Sequence, residues 1–282
     1  MSGTLYVVAT PIGNLEDITL RALRVLREVD VIAAEDTRRT ARLLGHHEIE
    51  TRMVSFHEHN TRSRVPQLIS RLEAGQNVAI VSDAGTPGVS DPGLELVQQA
   101  VERGIRVDPI PGASAPLAAL IASGFKMVPF TVFGFAPNKA NDRKRWLEEV
   151  CKTPHTFSFF ETPHRIQATL RQAGPILVDR PITVARELTK LHQEVVRGTA
   201  SELVERFSDP RGEFTIIVGP AVNQLTSNEI SLTDEDVVRE FGRITEIDGG
   251  SRRQAVVELA KRSGRRPRDV YSAIERAKKL GI

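Results

Sequence analysis

Between Ser82 and Gly93 the chain reads S-D-A-G-T-P-G-V-S-D-P-G, three glycines, two prolines and two aspartates in twelve residues. Such a run continues neither a strand nor a helix. It follows the apolar stretch Val78 to Val81 and precedes a helical pattern, so it is predicted to form a polar loop at the carboxyl end of a strand, where open α/β sheets bind ligands. Three further segments share this logic: A-T-P-I-G-N-L-E-D-I-T from Ala9 to Thr19, P-I-P-G-A-S-A from Pro109 to Ala115, and A-R-E-L-T-K from Ala185 to Lys190. Their small residues let the backbone approach an extended polar ligand, with Asp83 and Ser114 as side-chain hydrogen-bonding groups. None of the four is a Walker A loop or a G-x-G-x-x-G fingerprint, which argues against nucleoside triphosphate and nicotinamide chemistry. Residue types alone lead as far as a small-molecule cofactor cleft.

A second chemical signal lies near the other end. From Ser251 to Ile282 there are ten basic residues, Arg265 and Arg266 among them, and three acidic ones, a local charge of +7 in a chain whose net charge is +2. Such asymmetry points to an anionic partner, nucleic acid first. The single cysteine, Cys151, excludes an internal disulfide and a multi-cysteine metal site, and no metal centre is expected. No stretch approaches the ~20 apolar residues of a membrane span, and M-S-G-T-L-Y-V-V-A passes straight into a strand without a basic leader. A cytoplasmic protein without a membrane segment is expected.

Alternating elements must position these loops. Strands are predicted at Leu5–Ala9, Val31–Ala34, Met53–Phe56, Val78–Val81 and Arg106–Ile110, with helices between them, which predicts a mainly parallel sheet covered on both faces. From Pro129 to Asn141 the pattern breaks, and a second α/β set follows with strands at Thr156–Phe160, Ile182–Glu187 and Phe214–Val218. The expected domains are an N-terminal α/β domain (1–128), a second α/β domain (129–222) and a basic helical extension (223–282), with a linker from Ala221 to Ser231. In the extension, capping boxes are predicted at Thr233/Asp236 and Ser251/Gln254. Helices Arg252–Ser263 and Pro267–Leu280 around Gly264 fit a helix-turn-helix, the plainer and less favoured reading being a hairpin that caps or dimerises the protein.

Taken in order, the four loop segments together with A-E-D-T-R-R-T, F-H-E-H-N, F-F-E-T-P-H-R-I and G-E-F-T-I-I-V resemble the tetrapyrrole-methylase-like family of S-adenosylmethionine methyltransferases, over about Thr4 to Pro220. Within that family the pattern is similar to the bacterial enzymes that methylate the ribose 2'-hydroxyl of the decoding-centre cytidine in small-subunit (16S) ribosomal RNA. The resemblance implies two α/β domains with S-adenosylmethionine folded in the cleft between them, a homodimer, and 16S rRNA within the 30S subunit as partner. It implies a cofactor pocket built from Pro11, Asp83, Ala84, Gly85, Thr86, Ser114, Ala115, Phe160, Ala185 and Thr215. The family's second loop more often reads G-D-P; S-D-A here fits the ribosomal RNA subgroup and argues against a tetrapyrrole substrate.

The implied reaction is an in-line methyl transfer, to which a protein contributes alignment and a dry, fitted cleft. A protonated ribose 2'-hydroxyl is a poor nucleophile, so a base should lie within about 3 Å of it in the productive complex. His57, Glu58, Asp36 and Glu161 are the candidates, each with a plainer reading. His57, Glu58 and His59 would form a solvated turn, Asp36 would cap the helix starting at Thr37, Glu161 would pair with Arg165, and Asp83 would make an Asx-turn. Arg38, Arg39 and Arg42, with Arg143 and Lys144 and the tail residues Arg265 and Arg266, form the expected RNA-binding set. Phe133 and Phe135, flanking Gly134, are either stacking platforms or core. Two other classes stay open: a methyltransferase of the same fold acting on a tetrapyrrole or protein side chain, and a helix-turn-helix protein whose α/β part senses a ligand.

Overall fold

The computed structural model describes residues 2–88, 93–177, 180–221, 234–247, 251–263 and 266–280. The chain divides into two compact units, Met1–Gly219 and Pro220–Ile282.

The first unit begins with five parallel strands, β1 (Thr4–Val8), β2 (Val31–Ala34), β3 (Met53–Ser55), β4 (Val78–Val81) and β5 (Arg106–Ile110), in the order β3-β2-β4-β1-β5. V-I-A-A and V-A-I-V are buried at every position because helices cover both faces, the pattern of central parallel strands. Helices α1 (Leu20–Glu28) and α2 (Thr37–His46) enclose Leu26, Ile32 and Val81; α3 (Thr61–Glu73) and α4 (Gly93–Glu102) enclose Leu68, Ile80 and Leu96 on the other face. The chain leaves β1 toward β2 and leaves β4 toward β5, so the central pair β1 and β4 feeds connections to opposite sides. That strand reversal opens a crevice at their carboxyl ends.

The second sheet follows α5 (Ala115–Ser123). It contains β6 (Phe130–Phe135), β7 (Thr156–Glu161), β8 (Ile182–Arg186), β9 (Glu194–Gly198) and β10 (Phe214–Val218), in the order β6-β7-β10-β8-β9, antiparallel apart from β6 with β7. Strand alternation sorts its residues. Phe157, Phe159, Val184, Phe214 and Ile216 enter a core beneath α6 (Ala140–Val150), α7 (Ile166–Ala173) and α8 (Ala200–Arg206), while Ala185 and Ile217 face α5 with Leu120.

Two of these strands, β6 and β9, lie where the sequence shows no strand pattern. In β6 the register shifts between Val132 and Phe135, and Gly134 adopts φ +70°, a glycine bulge that breaks the two-residue alternation. As E-V-V-R-G on a sheet edge, β9 carries polar residues on both sides of two valines.

The second unit contains helices Asp234–Gly242, Arg252–Ser263 and Pro267–Leu280 with a π-helical turn at Arg243–Ile247, packed around Val237, Leu259, Val270 and Ile274. Ser251 and Gln254 form the expected capping box: the Gln254 amide donates to Ser251 Oγ at 3.3 Å and the Ser251 amide to Gln254 Oε1 at 3.1 Å. Thr233, Gly264 and nearly all of the expected linker lie outside the described residues. Among the described residues no helix is long and apolar enough to cross a membrane.

Candidate cofactor cleft and adjoining basic pocket

The crevice at β1 and β4 is laced by backbone bonds. Thr10 and Gly85 exchange both of theirs, the Thr10 amide donating to Gly85 O at 2.9 Å and the Gly85 amide to Thr10 O at 3.0 Å. Thr10 Oγ1 donates to Ser82 O at 3.1 Å, and Thr86 Oγ1 to Ala113 O at 3.4 Å, tying in the loop after β5. Gly85 has φ +81°, a conformation costly for any residue with a Cβ. Behind this loop Gly112 lies so close to β1 that a Cβ would stand 2.9 Å from Ala9 Cβ. The amino end of α5 faces the same space, and its first residue's neighbour Ser114 makes no side-chain cap bond.

The opposite wall comes from the second sheet. Thr215 on β10 pairs with Phe160 on β7 and with Ala185 on β8, so the three side chains stand in one row on one face. Ring and loop residues extend this row. Phe135 sits 5.1 Å from Phe160, centroid to centroid, and is about half exposed, whereas Phe133 packs edge-on against Trp146 and Phe157 in the core. The bulge at Gly134 sends the two phenylalanines to different surroundings, one to the cleft and one to the core.

Between these walls is a cavity of about 370 Å³, in the range of small-molecule sites. Asp83, Ala84, Gly85, Thr86, Ser114, Ala115, Phe160, Ala185 and Thr215 all line it. Pro11 instead lines a second cavity of about 420 Å³, which shares Ile12, Arg39, Asp83, Ala84 and Glu213 with the first and adds Arg42 and Lys190.

The charged groups have distinct duties. Asp36 caps α2, accepting from the Arg38 amide at 2.8 Å, and Arg38's hydrogen bonds hold its carboxyl well below the usual carboxylate range. Asp83 accepts from the Asp36 amide at 2.9 Å and lies 3.5 Å from the Arg39 guanidinium, joining the β2 and β4 loops. Glu161, at the end of β7, lines the cleft with its carboxylate fully engaged. Arg165 meets it at 2.7 Å, the Thr162 amide donates to it at 2.8 Å and Thr169 Oγ1 at 2.6 Å. That carboxylate is a buried anion fixed by a cation and two neutral donors, the arrangement of an anchor. His57 and Glu58 sit at and just past the end of β3, on the short turn Glu58–Asn60. Neither is among the residues lining the two cavities, although His57 Nδ1 is buried and without a hydrogen-bond partner.

Glu35 is a cleft residue that motif reasoning passed over; its carboxylate accepts from the Asp83 amide at 3.1 Å. Its place one residue beyond β2, beside the Ser82–Asp83 loop that follows the neighbouring strand β4, is the signal that could have found it.

The proposed RNA-binding arginines separate. Arg39 and Arg42, three residues apart on one face of α2, line the second cavity, whereas Arg38 is turned back onto Asp36. The expectation for Arg143 is corrected. Its side chain is buried, donating to Gln172 Oε1 at 2.9 Å and to the carbonyls of Pro137 and Asn138, so it clamps the β6–α6 turn and offers nothing to a phosphate. Lys144 beside it is exposed. Arg266 is exposed and paired with Asp269 at 3.1 Å; Arg265 lies outside the described residues. Among the described residues no three His, Cys, Asp or Glu side chains are grouped to hold a metal ion.

The sequence profile of the Tetrapyrrole (Corrin/Porphyrin) Methylases matches residues 4–204. The chain is 44% identical over 272 residues to the ribosomal RNA small subunit methyltransferase I of Halalkalibacterium halodurans, covering 96% of this chain and 94% of that protein. It is 43% identical over 273 residues to the protein of the same name from Bacillus subtilis, with the same coverages. Among solved structures, uroporphyrin-III C-methyltransferase from Thermus thermophilus complexed with S-adenyl homocysteine is 19% identical, with a TM-score of 0.55 over 79% of this chain and 100% of that one. The methyltransferase CobJ is 21% identical with a TM-score of 0.59, over 78% and 95%. These two likenesses concern the fold.

Proposed function

The chain belongs to the tetrapyrrole (corrin/porphyrin) methylase family, and from that premise we propose that it is an S-adenosylmethionine-dependent methyltransferase of 16S ribosomal RNA. Its acceptor is the ribose 2'-hydroxyl of the decoding-centre cytidine, presented in the 30S subunit. The observation that carries this reading is the similarity to ribosomal RNA small subunit methyltransferases over 96% of the chain, because it spans the helical extension as well as the cleft.

The cleft suits the cofactor on its own features. Small side chains and a positive-φ glycine let the backbone come close, a serine hydroxyl is left over from capping, and a row of Phe160, Thr215 and Ala185 closes the far side. Asp83 to Thr86, Ser114, Ala115 and that row would hold it, with Pro11 at the junction to the second cavity. When bound, S-adenosylmethionine supplies an electrophilic methyl group on a sulfonium. The protein's own contribution is alignment and dryness: Phe135 and Phe160 shield the cleft, and the Thr10–Gly85 bridge fixes one wall against the other loops. Glu161 is an anchor for the β7–α7 turn. His57 and Glu58, on the turn after β3, are the proposed proton acceptors.

Exposed Leu117 and Ile121, one turn apart on α5, form an apolar stripe for a second copy, and the protein acts in the cytoplasm as a homodimer. The exposed arginines of the helical extension add a sequence-independent hold on RNA.

Release of S-adenosylhomocysteine tests the substrate class. With 30S subunits from cells lacking this protein, release is expected to rise with subunit concentration; with uroporphyrinogen it should stay at the no-acceptor level. The reverse pattern would replace the RNA reading by the tetrapyrrole one.

A further inference from the structure

The second cavity carries charge that the first does not explain. Its cations are Arg39, Arg42 and Lys190, and its acids are Asp83 and Glu213. Lys190 is already matched, donating to Glu187 Oε1 at 2.8 Å and Glu213 Oε2 at 3.0 Å. Arg39 is half matched by Asp83 at 3.5 Å, with its side chain more than half exposed. Arg42 is exposed and has no ion-pair partner among the described residues. The uncompensated positive charge therefore sits on one face of α2, with Arg42 in the second cavity alone and Arg39 at the border that it shares with the cofactor cleft.

We infer that this cavity is a nucleotide subsite, in which Arg42 and Arg39 grip the phosphodiester next to the acceptor ribose while that ribose reaches over the Asp83–Ala84 wall into the cofactor cleft. This rests on the reading of the protein as an RNA 2'-O-methyltransferase. Two features of the cavity fit a backbone rather than a base. Guanidinium forks match phosphate oxygens, and the lining residues Thr10, Pro11, Ile12 and Leu43 include no aromatic ring for stacking. Lys190, held between the Glu187 and Glu213 carboxylates, lines the cavity from the loop after β8. A phosphate here would place the target nucleotide by its backbone, which demands that sequence be read elsewhere on the 30S surface.

Methyl transfer to 30S subunits by the full-length Arg42→Ala and Arg42→Lys proteins tests the subsite, with cofactor affinity measured alongside by titration calorimetry. Arg42→Ala is expected to raise KM for 30S about tenfold, with kcat within a factor of two and cofactor Kd unchanged. The dependence of log KM on log salt should flatten by about 0.7, the loss of one single-strand phosphate contact, and Arg42→Lys should restore most of that slope. Unchanged KM and salt slope in Arg42→Ala, with wild-type transfer intact, would overturn the subsite and leave the function standing. A raised cofactor Kd would overturn it in favour of a contact to the anionic end of the cofactor. No transfer by the wild-type protein to any RNA would instead remove the functional reading beneath it.

Discussion

Glu161→Ala is expected to destabilise the α/β unit by about 3–5 kcal/mol, because it leaves the Arg165 guanidinium beside the cleft without its counter-charge. Thr169 Oγ1 and the Thr162 amide lose their acceptor in the same step. For a unit of this size the melting temperature should fall by roughly 10 °C, read by circular dichroism. Glu161→Gln keeps the shape and part of the hydrogen bonding, so its loss should be smaller. The pair also separates anchor from base. An anchor predicts that Glu161→Gln, assayed well below its melting temperature, keeps kcat within a few-fold, whereas a base predicts near-complete loss of kcat with little thermal change.

Gly13→Ala is the second substitution with a large expected effect. A Cβ at Gly13 would stand 2.5 Å from Lys190 Cγ, 2.7 Å from Thr189 Oγ1 and 2.8 Å from the carbonyl oxygen of Leu188. The lysine carbon can give way; the carbonyl cannot without moving the loop after β8. That loop is strained as it stands, with Glu187 at φ 50° and Thr189 at φ 66°. It also carries Leu188 into the cofactor cleft. Cofactor affinity is expected to fall at least tenfold, about 1.4 kcal/mol, with a stability cost of about 1–3 kcal/mol. Gly45→Ala, in helix α2 with nothing within 4 Å of the added carbon, is the control and should be neutral or slightly stabilising.

The ion triad that holds this loop persists at neutral pH. Burial alone would raise the Glu187 carboxyl, but the Lys190 hydrogen bond and the Glu213 amide bring it below its ordinary value of 4.5. Burial alone would lower the Lys190 ammonium, but its two carboxylates raise it above 10.5. Glu187 therefore contributes its stability above pH 4.5 and loses it as pH falls through its lowered value. Lys190 contributes below pH 10.5 and loses its share as pH rises through its raised value.

Much of this architecture was legible in the residues. Val31–Ala34, Val78–Val81 and Phe214–Val218 are strands with the boundaries their apolar runs predict, because central strands buried on both faces advertise themselves, and the edge strand Arg106–Ile110 also has its predicted bounds. Phe160, Ala185 and Thr215 are far apart in sequence; only strand pairing puts them in one row, and their odd-even places relative to Phe159, Val184 and Phe214 already mark the face they share. β6 stayed hidden because the Gly134 bulge destroys the period on which strand reading depends, and β9 because an edge strand needs little apolar sequence. Arg143 misled for a different reason. In a run of basic residues nothing local distinguishes the one that turns inward to cap carbonyls from its exposed neighbours, since the carbonyls it satisfies belong to a turn whose shape only tertiary structure sets.

The central claim, that the methyl group goes to a ribose oxygen of 16S rRNA, is tested most directly by labelled methyl transfer from S-adenosylmethionine to 30S subunits of cells lacking this protein, followed by nuclease digestion and mass spectrometry. The account predicts one labelled nucleoside, a 2'-O-methylated cytidine from the decoding centre, formed by the wild-type protein. Label on a base, or no label in rRNA from a preparation that binds the cofactor tightly, would contradict it.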